Sequence, residues 1–233
     1  MAFGDEPPGR QGVWTIVVAA GSGSRFGAPK QFLNLMGSRV VDRSVAEAVV
    51  HSEGVVVVVP AHPMPGDDPP TVSDDVVLRV VPGGSSRSAS VRRGLAMVPE
   101  SARVILIHDG ARPLASAAVY EAVIGAIRGG ADAAVPVVEL ADTIRRKGGG
   151  VVDRDELVGV QTPQAFRPDL LRRAHESEPE ATDDASVVEE MGADIELVKG
   201  ERRNLKITTP LDLDVAAAWL ALDTAERDRR ART

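Results

Sequence analysis

The sequence predicts a doubly wound, Rossmann-like α/β domain on a mostly parallel sheet, with an inserted β-hairpin arm. Three observations predict it. The apolar residues are mostly Val, Ala, Leu and Ile while aromatics make up only 3%, which suits a buried parallel sheet with helices packed closely on it. Continuous apolar runs such as WTIVVAA recur along the chain, the mark of strands covered on both faces. Helical stretches alternate with these runs through about residue 138, and such alternation places ligands at the carboxyl ends of the strands.

The elements follow in order. Residues 1–12 are polar with Pro and Gly and read as a disordered leader ahead of one domain over 13–226. Trp14 to Ala20 is a central strand and Val55 to Val59 a second. The prolines of Pro60 to Pro70 make that stretch a loop. Val76 to Val81 is a third strand, ended by Pro82 and two glycines. Ser86 to Met97 reads as a helix, with Val91, Leu95 and Val98 near helical spacing. Val104 to Ile107 is a fourth strand, Ser116 to Arg128 a helix capped by Ser116, and Ala133 to Val138 a fifth strand. The alternation then breaks. Asp142 to Arg154 predicts two short strands around a Gly-rich turn, an arm at about 139–158 with too little core of its own, which must pack on something else. Ala181 to Met191 opens a helix with acidic residues in its first turn, Glu196 to Val198 is a late edge strand, and Pro210 to Arg227 is a terminal helix. Residues 227–233 form a charged tail expected to fray.

Composition excludes several classes. The chain has 233 residues, 43% hydrophobic, enough for one sizeable core. It has no cysteine, which rules out disulfides, thiol catalysis and Cys-based zinc sites. It has no run of about 18 apolar residues, so no membrane span is expected. The first dozen residues lack the apolar segment of a signal peptide, and a cytoplasmic protein is the simplest reading. A net charge of −7 argues against a broad nucleic-acid surface, which needs a basic face.

Chemistry begins directly after the first strand, in AAGSGSRFGAPKQF, residues 19–32. Gly21, Gly23 and Gly27 let backbone approach a ligand, and successive amides there can form an anion nest. Arg25 and Lys30 set two positive charges beside it. The spacing is not that of a P-loop. It also fails the dinucleotide fingerprint, because the third glycine falls one residue late and Pro29 breaks any helix starting at the loop. A phosphate-binding loop is favoured over a plain turn. Asp109 follows the fourth strand, at the edge where such a fold binds ligands, and a carboxylate there suits Mg²⁺, a hard cation held by few carboxylates plus substrate phosphates. Taken alone, Asp109-Gly110 reads better as a plain turn than as a metal site, and Gly83-Gly84 fits a turn as well as a platform for a base and ribose.

The ordered set of motifs resembles one family. The opening A-A-G-x-G-x-R with P-K-Q-F is similar to the sugar-phosphate nucleotidyltransferases, and P-K-Q in particular to the 2-C-methyl-D-erythritol 4-phosphate cytidylyltransferases. GGSSRSASVRRGL (83–95), HDGARP (108–113), DTIRR (142–146), TPQAF (162–166), TDDAS (182–186) and NLKIT (204–208) have counterparts in the same order, spanning residues 13–209. The resemblance implies that CTP lies on Ala19, Ala20, Gly21, Gly23, Gly83, Gly84, Ser90 and Asp109, with Asp109 also holding Mg²⁺. It implies that Arg112, Thr143, Arg154, Thr162 and Thr182 bind the acceptor, and that Lys206 reaches the reacting phosphates. It also implies a homodimer in which the arm brings Thr143 and Arg154 to the partner's site. Arg87 is an anion-binding candidate that could equally sit on a solvated face, and His108 reads as a packing residue.

The implied reaction explains the charges. A sugar phosphate is largely a dianion at neutral pH, so it needs no general base to attack the α-phosphorus of CTP. Repulsion is the obstacle: two like charges 4 Å apart repel by about 4 kcal/mol at an effective dielectric of about 20. Arg25, Lys30 and Lys206 are the residues expected to offset it catalytically. The alternatives are a cytidylyltransferase acting on ribitol 5-phosphate or another polyol phosphate, and a non-catalytic nucleotide-binding protein. A dinucleotide-dependent dehydrogenase is disfavoured by the glycine spacing.

Overall fold

The computed structural model describes residues 9–21, 29–62, 68–70 and 76–231. β1 (Val13–Val18) leads through a 3-10 turn (Lys30–Phe32) to the small hairpin β2 (Asn34–Leu35) and β3 (Ser38–Arg39), then α1 (Val40–His51). β4 (Gly54–Val59), β5 (Val77–Pro82), α2 (Arg87–Leu95), β6 (Val104–Asp109), α3 (Ala117–Arg128) and β7 (Ala133–Glu139) follow. The arm carries β8 (Ile144–Arg145) and β9 (Val151–Val152), and β10 (Val158–Val160) returns from it. β11 (Gln164–Phe166), α4 (Pro168–Glu176), α5 (Asp184–Glu189), β12 (Ile195–Lys199) and α6 (Pro210–Ala231) complete the chain.

Among the described residues the main sheet has the order β10-β7-β11-β6-β1-β4-β5, with β12 on β7. β6, β1, β4 and β5 run parallel, as do β7 and β12, while β11 and β10 are antiparallel to their neighbours. This mixed, mostly parallel sheet with helices on both faces is the predicted class. Both faces of β1 are covered, which is why its sequence is apolar without alternation. Trp14 and Ile16 pack with Val91 and Leu95 of α2, Leu171 of α4 and Val188 of α5. Val13 and Val17 pack with Val41 and Val45 of α1 and Tyr120 and Val123 of α3. A third cluster, Leu35, Val40, Ile207 and Ala216, fastens α6 near the start of α1. Among the described residues, no helix is long and apolar enough to cross a membrane.

Several elements depart from the sequence reading. β6 runs on to Asp109, so the carboxylate is the last residue of a buried strand. α1 is absent from that reading: its N-cap position is Arg39, whose backbone N–H donates to Asp42 Oδ2 at 3.2 Å and whose guanidinium pairs with the same carboxylate, in place of a usual capping residue. β11 and α4 are absent from it as well. Ser116 precedes α3 but its hydroxyl does not cap it; it donates to Glu201 Oε1 at 2.8 Å instead. α6 continues to Ala231, past the expected start of the tail at 227. Residues 9–12 of the expected leader form a turn leading into β1.

Candidate active site

The register aligns the strand ends that build the site. Val18 lies beside Asp109 and Val58, and Val59 beside Pro82. The loops after β1, β5 and β6 therefore leave the same edge of the sheet. Gly110 N–H donates to Val18 O at 2.9 Å, and Gly83 N–H to Val59 O at 2.7 Å. Gly83 is demanded by this closeness, since a Cβ there would sit 2.2 Å from Ala20 Cβ. Gln31, 3% exposed, reaches back with its amide to Ala19 O at 2.7 Å and Gly21 O at 2.8 Å. It thereby fixes the start of the glycine loop. Ser90 is buried, donates to Ser86 O at 2.8 Å and accepts from Gly84 N–H at 3.0 Å. Its hydroxyl holds the Gly83-Gly84 turn.

Asp109 is the centre of charge. Its side chain is 12% exposed, and Lys206 Nζ lies 2.7 Å from Oδ2. Arg112 Nε is 3.8 Å from the same oxygen, and Arg87 Nε is 3.6 Å from Oδ1. Burial alone would raise this carboxyl's pKa, but Lys206, then Arg87 and Arg112, outweigh it and hold the group well below the usual carboxylate range. The segment bearing Lys206 is tied to the Asp109 loop. Arg112 Nη1 donates to Asn204 O at 2.7 Å, Ile207 N–H to Ala111 O at 2.9 Å, and Asn204 Nδ2 to Thr162 O at 2.9 Å. A cavity of about 350 Å³ opens beside Arg112, lined also by Val160, Gln161, Asn204 and Leu205.

A second buried carboxylate stands behind the first. Arg87 opens α2 and donates through Nη1 to Asp184 Oδ2 at 2.7 Å. Asp184 is buried at the start of α5, and His175 Nε2 of α4 lies 3.3 Å from its other oxygen. Burial opposes the charge on Arg87, yet Asp184 and Asp109 together raise its pKa. Arg87 thus bridges two carboxylates from elements distant in sequence.

The structure brings together Ala19, Ala20, Gly21, Gly83, Gly84, Ser90, Asp109, Arg112, Thr162 and Lys206. Gly23 and Arg25 lie outside the described residues. Lys30 begins the 3-10 turn behind the loop, and its charge is felt by Asp212 at the start of α6. Thr182 is exposed shortly before Asp184. Thr143 and Arg154 are exposed on and beside the arm, where Arg154 donates to Ala141 O at 2.7 Å; within one chain they do not join the Asp109 group. Sequence reasoning missed Gln31, Asp184, His175 and Asn204. Gln31 stands in the quoted P-K-Q-F motif, Asp184 in TDDAS and Asn204 in NLKIT, so a signal existed for these three.

The residues present fit a hard divalent cation. Among the described residues no three His, Cys, Asp or Glu side chains cluster for a metal. A single ionised carboxylate suits a cation that keeps waters and shares substrate phosphates.

A parallel sheet that gathers a glycine loop, a Gly-Gly turn and a carboxylate ringed by cations at one edge defines an α/β fold of the nucleotidyltransferase type. Comparison with known proteins narrows the class. Residues 13–222 match the family model IspD, 2-C-methyl-D-erythritol 4-phosphate cytidylyltransferase. A protein of that name from Saccharopolyspora erythraea is 42% identical over 225 residues, covering 90% of this chain and 99% of the relative. One from Rubrobacter xylanophilus is 40% identical, covering 94% and 97%. The crystal structure of the enzyme of that name from Thermus thermophilus superposes with a TM-score of 0.73 at 35% identity, covering 88% of this chain and 97% of that one. The chain belongs to the 2-C-methyl-D-erythritol 4-phosphate cytidylyltransferase family.

Proposed function

We propose that this chain transfers a cytidylyl group from CTP to 2-C-methyl-D-erythritol 4-phosphate. The products are 4-diphosphocytidyl-2-C-methyl-D-erythritol and pyrophosphate, within the non-mevalonate route to isoprenoid precursors. The observation that carries the reading is the convergence of Lys206, Arg112 and Arg87 on Asp109 at the end of β6. An acceptor phosphate oxygen attacks the α-phosphorus, a new P–O bond forms, and the bond to the bridging oxygen of pyrophosphate breaks. The chain's task is positioning and charge neutralisation. Arg25, Lys30 and Lys206 offset the charge that accumulates as two polyanions meet. The Ala19–Gly21 backbone, Gly23 and the Gly83-Gly84 turn held by Ser90 receive the nucleotide. Arg112, Thr162 and Thr182 face the acceptor, joined by Thr143 and Arg154 of the partner subunit in a homodimer linked through the arm. Asp109 would hold a Mg²⁺ ion, whose chemistry there would be neutralisation of phosphate charge. The net charge of −7 supports a reading without a nucleic-acid partner, and the proposed setting is cytoplasmic, without a membrane partner.

The test is pyrophosphate release with each of CTP, ATP, GTP and UTP against a panel of polyol phosphates. Release confined to CTP and 2-C-methyl-D-erythritol 4-phosphate supports the reading. Release with ribitol 5-phosphate in its place overturns the acceptor assignment. A folded protein that binds CTP and releases nothing overturns the enzymatic one.

A further inference from the structure

His108 is fully buried one residue before the central carboxylate, and the reaction proposed above gives it no part. Its surroundings fix which ring nitrogen carries hydrogen. Nε2 lies 3.2 Å from Arg112 O, and a carbonyl only accepts, so Nε2 bears the proton. In the neutral ring Nδ1 is then bare, and the partner 3.1 Å from it, Thr162 Oγ1, must donate. That same hydroxyl oxygen accepts from Asp109 N–H at 3.0 Å. One directed chain results: Asp109 N–H to the Thr162 hydroxyl, hydroxyl to His108 Nδ1, and His108 Nε2–H to Arg112 carbonyl. The Asp109–Arg112 turn closes on itself through Arg112 N–H to Asp109 O at 2.9 Å, and the imidazole braces both its ends. Behind the ring stands Tyr120, with centroids 5.7 Å apart.

We infer that His108 is a positioning residue of the transfer site, an Nε2–H imidazole that sets Asp109 and Arg112 relative to one another. The inference rests on the functional reading above. The position calls for a flat buried group with an acceptor on one side and a donor on the other. Phe keeps the shape and loses both bonds; Gln keeps a donor and an acceptor on a flexible stem.

The experiment combines steady-state kinetics of wild type, His108→Phe and His108→Gln with ¹⁵N imidazole NMR of the wild type at neutral pH. Misplacing reacting groups by about 1 Å costs about 100-fold. His108→Phe is therefore expected to unfold cooperatively yet lose about 100-fold in kcat, with KM for CTP changed less than about threefold. His108→Gln should recover at least about tenfold of that loss. The NMR should show a bare Nδ1 and a hydrogen-bearing Nε2. A folded His108→Phe with wild-type kcat overturns the inference, as does a Gln variant no better than Phe. A protonated Nδ1 overturns it too, and decides the matter if the Phe variant fails to fold. A wild type silent with CTP and the acceptor overturns the functional reading itself; an active wild type with an equally active Phe variant overturns this inference alone.

Discussion

Lys206 and Asp109 form an ion pair 2.7 Å apart at the candidate site, and they set the first prediction. Lys206→Met removes the strongest influence holding Asp109 ionised and one of the charges expected to meet the reacting phosphates. Electrostatic groups of this kind are worth roughly 100- to 1,000-fold in kcat. Single-turnover rates of Lys206→Met should fall by that order while CTP binding, followed by calorimetry, changes much less. Lys30→Ala should behave alike, and a variant with normal kcat removes Lys30 from the catalytic group. Stability against pH follows from two groups with separate windows. Burial pushes His108 down to about 4 from 6.5. Between those values the unfolded chain binds the proton and the folded one does not, so stability rises with pH across that window. At its acid end the loss reaches roughly 3 kcal/mol. Asp109 is depressed instead, so its contribution is present above the ordinary carboxylate pKa and is lost only as pH falls below about 4. Urea unfolding from pH 4 to 7 should show the His108 slope in wild type and lose it in His108→Phe. At this scale the sequence named Asp109, Arg112 and Lys206, because each sits in a short motif. It left Arg87 open and passed over Asp184, because their ion pair joins residues 97 apart in sequence; the TDDAS motif marks Asp184 but does not show its partner.

Elements show the same division. The strands of the parallel core were legible because burial on both faces leaves unbroken runs of Val and Ile. β11 was not: it is three residues long, lies antiparallel between β6 and β7, and is too short for any periodicity. α1 escaped because Arg39 stands at its N-cap position and its Val-rich sequence has weak helix preference. Helix α2 explains a glycine whose part only the packing reveals. A Cβ at Gly94 would lie 2.5 Å from Ile16 Cγ2 and 3.1 Å from Val58 Cγ2, so the helix rests directly on β1 and β4. Gly94→Ala should cost about 1–3 kcal/mol by overpacking, despite raising helix propensity. Chemical denaturation measures it, and a stabilised variant would show that α2 can lift without loss.

For the whole molecule, the arm is the element that one chain leaves unexplained. β8 and β9 pair only with each other among the described residues, and Val151 is 57% exposed. Leu157, Val158 and Val160 also present apolar surface. Replacing residues 143–154 by a short Gly-Ser turn should leave the core folded, abolish the proposed dimer in sedimentation velocity, and lower kcat/KM for the acceptor. Fold class and family were legible over nearly the whole chain because the motifs stand in order. Assembly was not, since a hairpin that needs another surface does not say whose. The central claim is that a phosphate on the acceptor becomes joined to the α-phosphorus of CTP. The most direct test is ³¹P NMR of wild-type protein with CTP, Mg²⁺ and 2-C-methyl-D-erythritol 4-phosphate. The account predicts that the acceptor's monoester signal disappears as a pair of coupled diphosphate signals and free pyrophosphate appear together. Consumption of CTP with the monoester signal intact would contradict it, and so would an unchanged spectrum.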